Sequence, residues 1–327
     1  MFEVLKKLEV KPWSCKYEVV DEDWLFKLLH FKSKQKKYKY PVLIVYAYIN
    51  RPYILDLHSE VSIIKKMLEF GLDVWMIDWG YPKRADKFLE IADYIDYIDW
   101  CVNRINDELG LDKLTLHGYC LGSTLSVIYA SLYPERIKNL VIQAPAINFD
   151  TENALALWAK SIEPTKVSRA MGNVSGDFLN IAFLLVDSIR LAVGKYQSLL
   201  DNIKNEKFVK NFMYMDHWIF DSPSIPGQVF EEYIKRWYHG NELIKGKYEI
   251  KGLRVDIQKI TMPTLILIAE RDHITPPEAA IPFYEKIPSD DKLLLSVDKG
   301  HIGLTVSRSS HRNLWDRAIK WITDRSN

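Results

Sequence analysis

A cysteine between two glycines is the residue of this sequence best suited to covalent chemistry. Cys120 stands two positions after Gly118 and two before Gly122, between a short strand pattern and a helix pattern within residues 111–130. Such a strand–turn–helix holds its central residue in a strained conformation, and the flanking glycines are needed because neighbouring backbone lies close. A thiol at the positive end of the helix ionises more readily than a free cysteine, whose pKa is about 8.5.

The same motif also has a purely structural interpretation, as a buried cysteine beside two turn glycines. Two further residues favour a catalytic role for Cys120. Asp272 follows a predicted strand at 264–269, and His301 follows another at 293–297. Nucleophile, acid and histidine in that order, each in a loop after a strand, are typical of the α/β-hydrolase fold.

In this arrangement His301 would take the thiol proton, and Asp272 would hold the imidazole in the required tautomer. The alternatives are an aspartate that caps a loop and a histidine that is only structural. The shared order of all three residues favours catalysis. His117 and His273 adjoin the motifs and are expected to pack around the site.

Acyl transfer also needs backbone N–H groups where negative charge develops on the substrate oxygen. One should come from Leu121, the residue after the nucleophile. The other should come from the loop after the apolar strand at 41–48, near Ile49 or Asn50. An ordinary strand–helix connection is the alternative for that loop.

The elements that must position these residues alternate strand and helix up to residue 149, with helices predicted at 59–70 and 91–109. This alternation predicts a mostly parallel sheet with helices on both faces. Residues 1–40 look peripheral, with one short amphipathic segment at 24–30. The core would comprise 41–149 and 251–327. Residues 150–250 have helical periodicity and many aromatics, and predict an inserted helical cap.

Composition excludes several other classes of protein. The 327 residues carry a net charge of +1, so nucleic acid is not an expected partner, and the basic run 32–39 fits a solvated loop. Three cysteines show no metal-binding spacing and suit a reducing compartment. We find neither a signal peptide nor a membrane-spanning stretch, and we expect a cytoplasmic protein without a bound metal.

Several stretches together resemble the short type of polyhydroxyalkanoate synthase (class III, with class IV close behind). Together they span residues 41–304, most of the chain. The stretches are Tyr46–Leu57 (YAYINRPYILDL), Gly71–Pro82 (GLDVWMIDWGYP), Gly118–Gly122 (GYCLG), Asp216–Pro223 (DHWIFDSP), Glu270–His273 (ERDH) and Gly300–Gly303 (GHIG).

The resemblance implies a triad of Cys120, Asp272 and His301 that transfers (R)-3-hydroxyacyl groups from coenzyme A thioesters to a growing polyester. It implies no cofactor besides that substrate. It also implies a homodimer or a complex with a second synthase subunit, at a polyester granule surface. Leu121 and Ser123 stand where this family often has a polar residue and a glycine.

Two other functions remain open on the sequence. A cysteine-dependent α/β-hydrolase, such as an acyl-CoA thioesterase or esterase, would share the triad but admit water. A catalytically silent granule-binding protein would use the fold only as a scaffold. Product analysis separates the first from a polymerase, and the absence of an acyl-enzyme at Cys120 would indicate the second.

Overall fold

The computed structural model describes residues 10–186 and 188–327, without the side chains of 182–193. Short π-helical turns span Tyr233–His239 and His311–Trp315. The strands are β1 (Glu18–Glu22), β2 (Lys27–Phe31), β3 (Val42–Val45), β4 (Asp56–His58), β5 (Val61–Ser62), β6 (Val74–Asp78), β7 (Leu114–Tyr119), β8 (Ile137–Gln143), β9 (Glu249–Ile250), β10 (Leu253–Arg254), β11 (Thr264–Ala269) and β12 (Lys292–Val297). The helices are α1 (Ile63–Phe70), α2 (Ile91–Leu109), α3 (Leu121–Leu132), α4 (Ala154–Ser161), α5 (Pro164–Met171), α6 (Gly176–Val186), α7 (Ser188–Asp201), α8 (Glu206–Phe220), α9 (Gly227–Glu232), α10 (Ile281–Lys286), α11 (Gly303–Val306), α12 (Arg308–Ser310) and α13 (Asp316–Thr323).

Eight strands form one sheet in the order β1-β2-β6-β3-β7-β8-β11-β12. The six strands from β6 to β12 run parallel, whereas β2 and β1 are antiparallel to their neighbours. Every residue of β3, β6, β7 and β11 is buried. Strands covered on both faces read as continuous apolar runs, which is why the sequence revealed them. The predicted α/β architecture is confirmed.

The expectation that residues 1–40 are peripheral is wrong for 18–31. The segment predicted as amphipathic at 24–30 contains β2, whose last four residues are buried and which pairs with β6 in the register Leu28 to Ile77. A single short run, KLLHF, cannot show that its sheet partner lies some fifty residues away. The basic run 32–39, by contrast, lies in a largely exposed loop, as predicted.

Capping explains why some boundaries agree with the sequence to the residue. Helix α2 begins after Glu90, whose side chain forms a capping box with Asp93, and ends before Gly110. Its predicted bounds, 91 and 109, are the observed ones. The helix predicted at 59–70 begins later, at Ile63, because Ser62 is the residue whose side chain caps it.

Helices fill most of the chain between β8 and β11. They run from Ala154 to His239, accompanied by the small β9–β10 hairpin and an isolated bridge between Val174 and Ile225. The end of α8 contacts the loop after β3, where Trp218 Nε1 donates to the carbonyl of Arg51 at 2.7 Å. These helices therefore border the carboxyl ends of the parallel strands.

The helices of the described chain are too short or too polar to cross a lipid bilayer.

Candidate active site

Cys120 occupies a tight turn between β7 and α3, which we call the elbow. Its backbone has φ 54° and ψ −121°, a conformation that residues other than glycine rarely adopt. A Cβ atom added to Gly122 would lie 2.1 Å from the carbonyl oxygen of Val45, and one added to Gly118 would lie 2.5 Å from the Cα of Ser123. The predicted crowding around the motif is confirmed.

Hydrogen bonds from buried groups hold this turn. Ser123 Oγ donates to the carbonyls of Gly118 (2.9 Å) and Gln143 (3.1 Å), and the Cys120 N–H donates to the same Gln143 carbonyl at 2.9 Å. The Gln143 side chain continues to Thr305 Oγ1 at 2.8 Å and to His117 at 3.2 Å. His117 therefore packs behind the site, as predicted. Sequence reasoning missed the roles of Ser123 and Gln143.

Asp272 and His301 form a buried pair at the ends of β11 and β12. The distance from His301 Nδ1 to Asp272 Oδ2 is 2.7 Å. The other carboxylate oxygen accepts the N–H groups of Ile274 and Thr275, both at 2.9 Å, and Thr275 Oγ1 donates to Oδ2 at 3.0 Å. Each carboxylate oxygen is thus used, and the carboxyl group is fixed relative to the ring. Thr275, three residues after Asp272, was also missed on the sequence.

Opposing effects set the protonation of this pair. Burial lowers the pKa of His301, but the Asp272 carboxylate outweighs it and holds that pKa well above its usual value. Burial likewise raises the pKa of Asp272, while the charge and hydrogen bond of His301 lower it below its usual value. The aspartate anion therefore stabilises the imidazolium that forms when His301 accepts a proton.

Cys120 and His301 line the same cavity, which has a volume of about 200 Å³. Tyr119 lies nearly parallel to the His301 ring, with 5.6 Å between centroids. The cavity lies at the carboxyl ends of the parallel strands, where ligands of open α/β sheets bind. Its remaining walls are mainly apolar. They include Tyr46, Ala47, Ala146, Ile274 and Ile302 from the sheet side, and Leu155, Asn180, Trp218, Ile219, Tyr233 and Tyr238 from the inserted helices.

The three residues predicted to supply oxyanion donors also line this cavity. Leu121 is the first residue of α3, so its N–H has no partner within the helix. Ile49 and Asn50 follow β3, and Asn50 has a positive φ of 59°. The Asn50 side chain points to another group: its Nδ2 donates to Ser222 Oγ at 2.6 Å and to the Ile219 carbonyl at 3.3 Å.

Other candidate ligands are not gathered into a site. Within residues 10–186 and 188–327, no three His, Cys, Asp or Glu side chains are arranged to hold a metal ion. Cys101 is buried in α2 and Cys15 lies beside Asp56, away from the cavity lining. Cys120 is the cysteine that contributes to the cavity.

Comparison with known proteins assigns this site to a class. Residues 40–306 match the family described as "alpha/beta hydrolase fold". A putative lipase from Sulfolobus solfataricus superposes with a TM-score of 0.59 at 15% identity, covering 94% of this chain and 99% of the lipase. Fold, family match and elbow together define an α/β-hydrolase.

Within that class the sequence is more specific. Residues 2–67 match the family "Poly-beta-hydroxybutyrate polymerase (PhaC) N-terminus". The chain is 38% identical to "Poly(3-hydroxyalkanoate) polymerase subunit PhaC" of Synechocystis sp., over 87% of this chain and 78% of that protein. It is 41% identical to the subunit of the same name from Haloferax mediterranei, over 97% of this chain but 66% of that protein. The chain belongs to the poly(3-hydroxyalkanoate) polymerase PhaC family.

Proposed function

We propose that this chain transfers (R)-3-hydroxyacyl groups from coenzyme A thioesters to a growing polyester, through a thioester on Cys120. One observation carries the proposal. In a member of the PhaC family, a cysteine on a strained elbow and the histidine of a buried histidine–aspartate pair line one apolar cavity. A serine at this elbow would be the ordinary hydrolase nucleophile.

The first half-reaction loads the enzyme. Because Asp272 engages His301 Nδ1, Nε2 is the nitrogen left to take the proton from Cys120 Sγ. The sulfur attacks the thioester carbonyl carbon, and the tetrahedral intermediate then expels coenzyme A. The leaving thiolate takes the proton back from the imidazolium, so that the acyl-enzyme and free coenzyme A remain.

The second half-reaction forms the ester. The hydroxyl oxygen of a second hydroxyacyl unit attacks the Cys120 thioester while His301 accepts the hydroxyl proton. The carbon–sulfur bond breaks, an oxygen ester replaces it, and the imidazolium returns the proton to the Cys120 thiolate. Thioester exchange with coenzyme A is nearly balanced, which suits a cysteine nucleophile for repeated transfer.

Charge on the substrate oxygen would be stabilised by backbone donors. The Leu121 N–H at the start of α3 is one, and an N–H from Ile49 or Asn50 is the other. Each such donor is typically worth roughly 10²–10³ in rate.

The inserted segment 150–250 would act as a cap. Leu155, Trp218, Tyr233 and Tyr238 contribute apolar surface to the cavity wall. An apolar, enclosed cavity disfavours water, which would otherwise hydrolyse the acyl-enzyme. This cap is what would separate a polymerase from a thioesterase built on the same three residues.

We expect no cofactor beyond the coenzyme A thioester substrate. Because the chain spans about two thirds of its Haloferax relative, its partners are also part of the proposal. We expect a homodimer or a complex with a second synthase subunit, at work in the cytoplasm at the surface of a polyester granule.

The test is incubation of purified protein with (R)-3-hydroxybutyryl-CoA, with free thiol and insoluble product both measured. Thiol release with polyester establishes the polymerase. Thiol release with only free hydroxy acid makes the chain a thioesterase. No thiol release, even with a second synthase subunit added, together with no acyl group on Cys120, would indicate a silent binding protein.

A further inference from the structure

Two stretches that carry the family resemblance make side-chain contacts that the mechanism described so far does not use. One is the loop after β3, residues 49–53, and the other is the end of α8 with the residues after it, 216–223. They are about 170 residues apart in sequence, yet they contact each other at the edge of the cavity. We call the second stretch the α8 corner.

The first link is through Asn50. Its Nδ2 donates to Ser222 Oγ at 2.6 Å, and Ser222 in turn lies 3.1 Å from both the Ile219 carbonyl and Asn180 Oδ1. Asn50 has a left-handed backbone, which asparagine tolerates better than most residues but which still needs support from its surroundings. The Asn50–Ser222 hydrogen bond therefore stabilises the conformation of a cavity-lining loop.

The next residues of the loop are held by the same corner. Trp218 Nε1 donates to the Arg51 carbonyl at 2.7 Å. The hydroxyl of Tyr53 donates to Asp221 Oδ2 at 2.9 Å, and that of Tyr81 donates to Asp221 Oδ1. Burial is the main cause that raises the pKa of both tyrosines, and Asp221 adds to it; the pKa of Tyr81 rises to about 12. Both hydroxyls therefore remain protonated donors at neutral pH.

The Arg51 side chain closes the arrangement on the sheet side. Its guanidinium donates to Asp78 Oδ2 at 2.7 Å and to the Gly80 carbonyl at 2.8 Å, and lies 4.3 Å from the Tyr81 ring centroid. The loop after β3 is therefore fixed from the end of β6 and from the α8 corner at once. An active-site loop needs such support to hold an N–H within the short range that catalysis requires.

We propose that Ser222 and Asp221 are positioning residues, which act through Asn50 and Tyr53 to set the loop after β3 for stabilisation of the substrate oxyanion. The inference rests on the proposed function, because it assigns work to the same site. It differs from that proposal in making the cap a supplier of catalytic geometry and not only a barrier to water.

The test compares Ser222→Ala with Ser224→Ala. Ser224 lies outside the cavity lining and has no side-chain hydrogen bond within the described chain. With (R)-3-hydroxybutyryl-CoA we expect Ser222→Ala to lower kcat by roughly tenfold to a hundredfold, with KM within about twofold, since a misplaced donor acts on the transition state. Ser224→Ala should match the wild type, and Ser222→Thr should recover most of the rate.

Two further measurements keep the result interpretable. Tyr53→Phe removes a single hydroxyl and should lower kcat by about threefold to tenfold with KM unchanged, even if Ser222→Ala folds poorly. Alkylation of Cys120 by iodoacetamide should proceed at the wild-type rate in both variants, since the elbow is untouched. A wild-type kcat in both variants, or a loss confined to KM, would overturn the inference. An inactive wild type would instead overturn the proposed function.

Discussion

The elbow and the loop after β3 face the same cavity but are held in different ways. The elbow depends on neighbours in the sheet. The backbone of β3 lies against Gly122, and the Gln143 carbonyl of β8 accepts hydrogen bonds from Cys120 and Ser123. The loop after β3 depends on two side chains of the α8 corner, about 170 residues away: Ser222 and Asp221.

This difference separates two kinds of preorganisation. A turn enclosed by sheet backbone cannot move without breaking the core, so the nucleophile should stay in place whatever the cap does. A loop held by a few side-chain bonds from an insertion can be loosened by a single substitution. We therefore expect substitution of Cys120 or Gly122 in the elbow to abolish activity or to destabilise the fold. Substitutions in the α8 corner should only lower the rate.

The largest loss should come from the nucleophile itself. Cys120→Ala removes the sulfur that forms the acyl-enzyme, and turnover should fall to background, as for other triad nucleophiles. The free energy of unfolding should change by no more than about 0.5 kcal/mol, because the side chain is half-buried at a turn. Activity assays measure turnover, mass spectrometry of the protein detects any acyl group, and urea denaturation measures the free energy of unfolding. An acylated or active Cys120→Ala enzyme would remove Cys120 from the mechanism.

Asp272→Asn should lower kcat by roughly 10³–10⁴ by favouring the wrong histidine tautomer. The pKa of His301 should then fall below about 6.5, because burial remains while the carboxylate is gone. Histidine NMR measures this pKa. Asp290→Asn, at an exposed position, is the matched control. A normal rate in Asp272→Asn would show that another carboxylate orients His301.

The same variant tests how the pair stabilises the fold as pH changes. The lowered pKa of Asp272 contributes stability above about pH 3.9, which is lost as pH falls through the folded-state pKa. The raised pKa of His301 contributes stability that is complete below about pH 6.5 and lost as pH rises through its folded-state pKa. The Tm gap to wild type should therefore be widest between about pH 4 and 6.5. A gap that grows in alkali would contradict this.

Gly122→Ala tests whether the sheet encloses the elbow. The added methyl would meet the Val45 carbonyl at 2.1 Å, and we expect a loss of about 3 kcal/mol or more in the free energy of unfolding, with activity lost as well. Gly194→Ala, in helix α7, is the control, because among the described atoms outside the backbone of its own helix a Cβ there meets none within 4 Å. Urea denaturation measures both. Equal stability of the two variants would mean that the elbow relaxes easily.

The smallest expected effect concerns two serines of α3. Ser123→Ala leaves the Gly118 and Gln143 carbonyls with one donor fewer, which should cost about 1 kcal/mol. Ser126→Ala removes a buried hydroxyl that lacks a partner among the described residues, and should be neutral or stabilising. Thermal denaturation ranks the pair, and kcat of Ser123→Ala should stay within a few-fold of wild type. The reverse ranking would show that Ser123 does not hold the turn.

The amino-acid sequence alone determined the parts of this protein that depend on local rules. Gly118 and Gly122 flank Cys120 because a strained turn leaves no room for a Cβ, and that requirement can be read from spacing. The strand at 264–269 and the helix at 91–109 were predicted to the residue, since apolar runs and caps are local signals. The order of Asp272 and His301 after their strands likewise indicated which residues the fold would bring together.

Only the tertiary structure decided the contacts between distant segments. Strand β2 joins the sheet through β6, and its five residues carry no sign of that partner. Thr275 and Gln143 support the histidine–aspartate pair and the elbow from positions without a motif of their own. The hydrogen bond between Asn50 and Ser222 exists because the inserted helices pack against the loop after β3. Hydrogen bonds between segments so far apart depend on how the chain packs, and no local pattern of residues encodes them.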